Sequence, residues 1–297
     1  MKYFQIKTFG WRNKFLDQIS RIEEGFILNN CKIINNCNNN SSSLDFIYAH
    51  CQSSWEEAIN YHKYCTKNAK LLLKVLDVPI HCLDFDKERT REKLRYANLI
   101  LSNSKHVQKE IKEILGFDSI IVYDCIKDLE YKKEIKKEID FLAIGRLNDP
   151  EKRGFLIKDL CKILREKRTL VTCGPEKLGI SNELGIVDDS SLNSLYCASK
   201  FCLCLSRREG LYLPPLEAMV TGCIPIVCED MTTVSEFIPK EFVCKPNIES
   251  IYNKILEIEK RYYDYQDVAI NYGFIYKKFF DKKTVAKRII DAYITII

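Results

Sequence analysis

A chain of 297 residues is long enough for two domains of ordinary size, each with its own core. It is 46% hydrophobic and 29% charged, and its formal charge of +5 is small against 46 basic and 41 acidic side chains interspersed along the sequence. A nucleic-acid binder would show a basic stripe, and a membrane-spanning helix would need ~18 to 20 apolar residues in a row; neither occurs, so any membrane contact is at most peripheral.

In chain order, the first half alternates strands and helices. Tyr3 to Phe9 reads as a strand with Gly10 in the turn after it, and Lys14 to Leu28 has helical spacing through Phe15, Ile19, Ile22 and Phe26. Cys31 to Ile34 reads as a strand, and the low-complexity run from Asn35 to Ser43 as a solvated loop. Leu44 to Ala49 is a strand, Trp55 to Cys65 a helix, and Leu71 to Leu76 a strand ended by Asp77-Val78-Pro79. A charged helix from Lys87 to Tyr96, a strand from Leu99 to Ser102, a helix from His106 to Leu115 closed by Gly116, and a strand from Ile120 to Tyr123 complete this half. Such alternation predicts a parallel sheet with helices on both faces.

The Lys/Glu-rich segment from Asp124 to Glu138 reads as a linker, after which the alternation resumes. Ile139 to Ile144 is a strand, Phe155 to Glu166 a helix and Thr169 to Cys173 a strand; Asp188-Asp189-Ser190-Ser191 offers N-caps for a helix through Ala198. The best-defined stretch follows, FCLCLSRREGLYLPPLEAMVTGCIPIV from Phe201 to Val227. It reads as a strand over Phe201–Leu205, a loop, a helix over Leu216–Val220 opened by Pro214 and Pro215, a left-handed stop at Gly222, and a strand from Ile224 to Cys228. A helix from Ile248 to Tyr263 and a long Tyr/Phe-rich helical region end the chain. Residues 1–130 and 131–280 are expected to form two domains, with 281–297 a closing helix packed back towards the first.

Fourteen cysteines would suggest a disulfide framework in a short secreted chain, but here they are scattered, form no C-x-x-C pair, and often sit inside apolar runs, as Cys202, Cys204 and Cys228 do. The start, MKYFQIKTF, enters a strand-like run without the apolar core of a signal peptide. A cytoplasmic protein with reduced, buried cysteines is expected. The four histidines show no metal-ligand spacing with Asp or Glu, and no metal site is expected.

Within the Phe201–Val227 unit, Glu209 lies in the loop and Glu217 near the helix start, read as its first turn, where a helix dipole favours an anion and free N–H groups suit phosphate oxygens. The stretch resembles the S-x-x-E-G-x-G-L-P-x-L-E-A-M-x-x-G-x-P-V-V signature of retaining glycosyltransferases of family 4. The resemblance runs from Asp140 to about Ile238 and is weak over the first domain, which looks shorter than is usual there. It implies an α/β architecture of two Rossmann-like, doubly wound domains facing a central cleft, the GT-B type.

It also implies a nucleoside diphosphate sugar as donor, with no cofactor and no metal, and an acceptor hydroxyl on a glycan, lipid or protein that the sequence does not name. Breaking the glycosidic bond leaves charge on the outer phosphate, which fixed cations and amides must stabilise. Arg146, ending FLAIGR, matches the family's arginine, and its partner lysine falls on Glu151-Lys152-Arg153-Gly154, where Lys152 or Arg153 can serve; Lys152 is preferred on chemical type. Glu209 matches the carboxylate bonding the transferred sugar, and Glu217 the one holding the donor ribose. Gly210, Leu211 and Tyr212 stand where backbone amides approach the diphosphate, although Tyr212 replaces a common glycine. Gly10 resembles the first-domain glycine loop facing the same phosphates. Where many members read V-H-D, this chain has Val75-Leu76-Asp77, which leaves Asp77 or His50 to contact the donor sugar, or a sugar without that hydroxyl contact. The reading is a metal-independent, retaining glycosyltransferase; the alternatives are a catalytically silent sugar-nucleotide binder or partner subunit, or an epimerase or hydrolase on the same fold.

Overall fold

Apolar runs of four to six residues that alternate with amphipathic helices can only bury both faces as parallel strands, and two such sheets form. The structure, a computed structural model, describes residues 4–10, 18–34, 44–66, 68–79, 85–164, 168–180 and 182–297. The loop read at Asn35–Ser43, the helix residues read before Gln18, Tyr3, and Arg165–Glu166 lie outside these residues.

The chain divides into two units, Met1–Cys125 with Phe279–Ile297, and Ile126–Lys278. In the first, β1 (Gln5–Phe9), β2 (Lys32–Ile33), β3 (Phe46–Ala49), β4 (Lys70–Val75), β5 (Leu99–Ser102) and β6 (Ile120–Ile121) pair in the order β2-β1-β3-β4-β5-β6. Every pairing is parallel, with registers such as Ile6↔Phe46 and Leu72↔Leu99. The helices are α1 (Gln18–Leu28), α2 (Trp55–Cys65), α3 (Lys87–Leu94) and α4 (Lys105–Glu110), the last running on through a wider turn over Ile111–Leu115. Local signals set their ends. Asp86 accepts from Arg89 N–H and Ser104 from Val107 N–H, and Gly116 turns left-handed at φ 79°.

In the second unit β7 (Ile139–Ile144), β8 (Leu170–Cys173), β9 (Ser199–Cys204), β10 (Ile224–Cys228) and β11 (Val243–Cys244) run parallel in the order β11-β10-β9-β7-β8. The Phe141 and Phe201 rings stack at 5.6 Å on neighbouring β7 and β9. Its helices are α5 (Gly154–Leu164), α6 (Asp189–Ala198), α7 (Leu213–Val220), α8 (Val234–Phe237), α9 (Ile248–Glu259) and α10 (Tyr262–Phe279). Asp188 caps α6 by accepting from Ser191 N–H. Gly222 takes φ 68°, as its stop position requires, and a Cβ there would also strike the Tyr131 ring at 2.6 Å.

The final helix, α11 (Lys282–Ile294), belongs to the first unit. It packs on α1, where a Cβ at Gly25 would collide with the Lys282 carbonyl. Val285, Ala286, Ile289 and Tyr293 join Ile6, Ile22, Phe26 and Phe46 in one core cluster, with the Phe46 and Tyr293 rings 4.6 Å apart.

Three element readings are corrected. The Tyr/Phe-rich region is two helices, because Asp281 caps a new start by accepting from Lys283 and Thr284 N–H. The helix expected to reach Tyr263 stops at Glu259, and α10 begins at Tyr262. The segment read as a linker does hold the boundary between the units, after Cys125, but it is packed at several points and is not a loose connection. Cys125, Ile126 and Leu129 are buried, Glu130 N–H donates to Asn193 Oδ1 at 2.8 Å, and Lys137 Nζ donates to the Ser199 carbonyl at 2.8 Å. Its many charges hid the apolar Cys125, Ile126 and Leu129 among them. Among the described residues, no helix is long and apolar enough to cross a membrane.

Candidate active site

In a doubly wound sheet, ligands bind beyond the carboxyl ends of the strands where the connections diverge. In the second sheet that point lies between β7 and β9, since β8 follows β7 on one side and β9 lies on the other. The loops leaving these two strands, over residues 145–153 and 205–212, meet there through consecutive ion pairs. Glu151 is held by Arg207 in two bonds of 3.0 and 2.5 Å, and Lys152 Nζ donates to Glu209 Oε1. Arg153 grips Asp230 with both guanidinium ends, one at 2.8 Å. Backbone bonds brace the same loops: Arg207 N–H donates to the Glu151 carbonyl at 2.8 Å, and the Thr232 hydroxyl accepts from Glu209 N–H at 3.0 Å and donates to its carbonyl at 2.6 Å.

The structure therefore brings Lys152 and Glu209 together and sets Lys152 Nζ 5.5 Å from the centre of the Tyr212 ring, within cation–π range. Both partners are largely sheltered, the lysine side chain 17% and the glutamate 14% exposed. Arg153, the other phosphate-ligand choice, is turned away and buried on Asp230, whose carboxylate raises the guanidinium pKa further. Arg146 stands 60% exposed at the end of β7, 3.4 Å from Asp149.

The reading of Glu217 in a first helical turn is corrected. The helix begins at Leu213, not Leu216, because prolines are tolerated in its first positions, so Glu217 lies in the second turn. Two of the three first-turn residues, Pro214 and Pro215, also lack an N–H. Amides able to face an anion are those of the preceding loop, Gly210, Leu211 and buried Tyr212, together with Leu213. Glu217 itself is buried and accepts from Tyr196 Oη–H and Lys127 N–H, each at 3.2 Å. It is thus held by α6 and the docked segment, in a hydrogen-bond set distinct from that of Lys152 and Glu209.

In the first unit the divergence lies between β1 and β3, and Gly10 and His50 are the residues that leave those strands. A Cβ on Gly10 would sit 2.9 Å from Ile19 Cβ and 3.3 Å from His50 Cβ, so close packing requires glycine there. The Asp77 carbonyl accepts from the Gln52 side chain, and Leu76 N–H donates to Gln52 Oε1 at 3.4 Å. His50 is buried in a polar set that the sequence reading did not find. Tyr48 Oη lies 2.8 Å from its Nδ1, and its Nε2 is 3.7 Å from Asp124 Oδ1. Lys74 Nζ donates to the same Asp124 oxygen at 2.6 Å and Asn103 Nδ2 to the other at 3.2 Å. Burial pushes the Asp124 carboxyl up, but Lys74, His50 and Asn103 outweigh it and leave it below the usual range. The available signal was a lysine inside the apolar run LLLKVL, which demands a buried anion.

His50 carries a pH prediction. Burial pulls its pKa down to about 4, with Asp124 opposing and Lys74 assisting, against 6.5 when unfolded. The unfolded chain therefore binds a proton first as pH falls, and stability is lost between pH 6.5 and 4. From pH 8 to pH 5 the loss from this group is about 2 kcal/mol, by linkage. Urea unfolding of the protein and of His50→Gln at both pH values measures it; an equal pH dependence in the two proteins would contradict the assignment.

Among the described residues, no group of three or more His, Cys, Asp or Glu side chains is arranged to hold a metal ion, and the twelve cysteines there are free, nine of them buried. The second unit's switch-point loops lie inside a segment with a recognisable family pattern. Residues 138–260 match the family model described as Glycosyl transferases group 1. A relative named "Putative glycosyltransferase 41", from Sulfolobus islandicus filamentous virus (isolate Iceland/Hveragerdi), is 31% identical over 134 residues. That match takes in 38% of this chain and only 40% of the relative's length. Among solved structures, Anabaena HepE in complex with UDP and glucose superposes with a TM-score of 0.79 at 15% identity, covering 99% of this chain and all of that one. A glycosyltransferase from Rickettsia africae ESF-5 gives 0.69 at 12% identity, covering 99% and 98%. At these identities the likeness establishes the fold: the expected α/β class of two Rossmann-like sheets, as in GT-B glycosyltransferases, holds over the described residues.

Proposed function

We propose that this chain is a retaining glycosyltransferase of family 4 that moves a sugar from a nucleoside diphosphate sugar to an acceptor hydroxyl without a bound metal. The observation that carries this reading is the Lys152–Glu209 pair at the β7/β9 switch point, inside the segment that matches the glycosyl transferases group 1 model. A cation and a carboxylate held side by side can separate onto a phosphate and a sugar hydroxyl when a donor enters. The HepE structures hold UDP and UDP-glucose, which makes a UDP-sugar the first donor class to test.

In this reading Lys152 and Arg146 take up the charge that grows on the outer phosphate as the anomeric C–O bond breaks. Gly210, Leu211 and Tyr212 supply amides to the diphosphate, Glu209 accepts from hydroxyls of the transferred sugar, and Glu217 from those of the ribose. The acceptor oxygen bonds to the anomeric carbon on the face the phosphate leaves, and its proton passes to the leaving phosphate oxygen. EDTA should leave turnover unchanged; a loss restored by Mg²⁺ or Mn²⁺ would contradict the site.

The two glutamates separate by ligand. Glu217→Gln should weaken free UDP by roughly 10- to 150-fold, the loss of one charged hydrogen bond. Glu209→Gln should leave UDP affinity nearly unchanged yet depress transfer. Calorimetry with UDP beside kinetics with the full donor measures both, and equal weakening of UDP by the two variants would overturn the roles. Leu76, standing where many family members carry histidine, favours a second reading, a silent sugar-nucleotide binder. Donor binding without turnover would select it.

A further inference from the structure

Glu151, Lys152 and Arg153 are consecutive, and each is paired with a different residue downstream: Arg207 and Glu209 in the loop after β9, and Asp230 after β10. The outer two pairs fix the turn, while the middle side chain lies against Tyr212. Arg153 has φ 53° and ψ 42°, a left-handed conformation that a side-chain-bearing residue adopts only when its surroundings hold it. Three contacts do so: both ends of its guanidinium bond to Asp230, and Nη1 lies 3.5 Å from the Leu205 carbonyl. The next residue cannot take up the slack, since a Cβ on Gly154 would collide with the Leu147 carbonyl.

We infer that Asp230 is a positioning residue for Lys152: by gripping Arg153 it holds the left-handed turn that aims the lysine at the switch-point crevice, and so serves a diphosphate site without touching the ligand. The consequence for diphosphate binding rests on the role proposed above for Lys152; the consequence for lysine orientation does not. The Arg153–Asp230 contact holds the Asp230 carboxyl below the usual carboxylate range, so the clamp stays charged at neutral pH.

The test uses the full chain and two readouts. Acetylation of Lys152 by acetic anhydride, followed by mass spectrometry, reports its orientation. In Asp230→Asn the lysine should leave Glu209 and label several-fold faster, and UDP should bind about tenfold more weakly by calorimetry, equivalent to 1.4 kcal/mol. Adding Arg153→Gly, which occupies φ 53° without strain, should restore most of both. In a Lys152→Ala background, Asp230→Asn should weaken UDP no further. Unchanged labelling in Asp230→Asn, or no recovery with Arg153→Gly, would overturn the positioning role, since a ligand contact or a merely structural pair would not be rescued by glycine. If Lys152→Ala alone leaves UDP affinity intact, the phosphate role of Lys152 fails, and the labelling arm still decides the orientation.

Discussion

Lys152→Ala is expected to lower the turnover number by about 10²- to 10³-fold, the range seen when one preorganised donor to developing charge is removed. The effect should fall on kcat because the outer phosphate gains its extra charge only as the glycosidic bond breaks. Before a donor binds, the lysine is engaged with Glu209 and is sheltered from water, so its charge is fixed in place and little reorganisation is needed when the ligand displaces that contact. Arg146→Ala should lower turnover in the same direction, but Arg146 is mostly exposed and lies beside Asp149, so its screened charge should count for less. Steady-state kinetics with a UDP-sugar decides. A rise in KM with kcat intact in Lys152→Ala would assign the residue to ground-state binding.

The largest effect on stability is expected in the first unit. Lys74 is fully buried on β4, and Asp124 is its anionic partner. Asp124→Ala strands the ammonium group in the core and also removes the partner of Asn103 and His50. Breaking a buried pair from one side should lower unfolding free energy by about 3 to 5 kcal/mol. Replacing both charges, as in Lys74→Met with Asp124→Leu, should recover much of that loss, because the main penalty is the uncompensated charge. Urea unfolding at pH 7 measures both. A loss under about 1 kcal/mol in Asp124→Ala would mean that the amine finds water, and the buried-pair account would fail.

Much of the fold was legible because parallel strands buried on both faces read as apolar runs, and β5 and β10 have the boundaries their runs predict. The misreadings have local causes. Proline was taken to precede α7 when it sits inside the first turn, which moved Glu217 from the dipole-favoured turn to the second. Charges over residues 124–138 masked the buried Cys125, Ile126 and Leu129. At the site, the family resemblance pointed to Glu209 and to the Lys152/Arg153 choice, but adjacency could not say which cation pairs with Glu209. That depends on Asp230, which is 77 residues from Arg153 and carries no motif. Asp124 was likewise invisible alone, and only Lys74 within LLLKVL signalled that some anion must meet it.

Transfer from a nucleotide sugar with retention and without metal can be followed by proton NMR of the protein with a panel of nucleotide sugars in EDTA. One donor, with a UDP-sugar the first expectation, should be consumed with release of the nucleoside diphosphate, and the anomeric coupling of the new product should match that of the donor. A product of opposite anomeric configuration, or no turnover of any donor that binds, would contradict it.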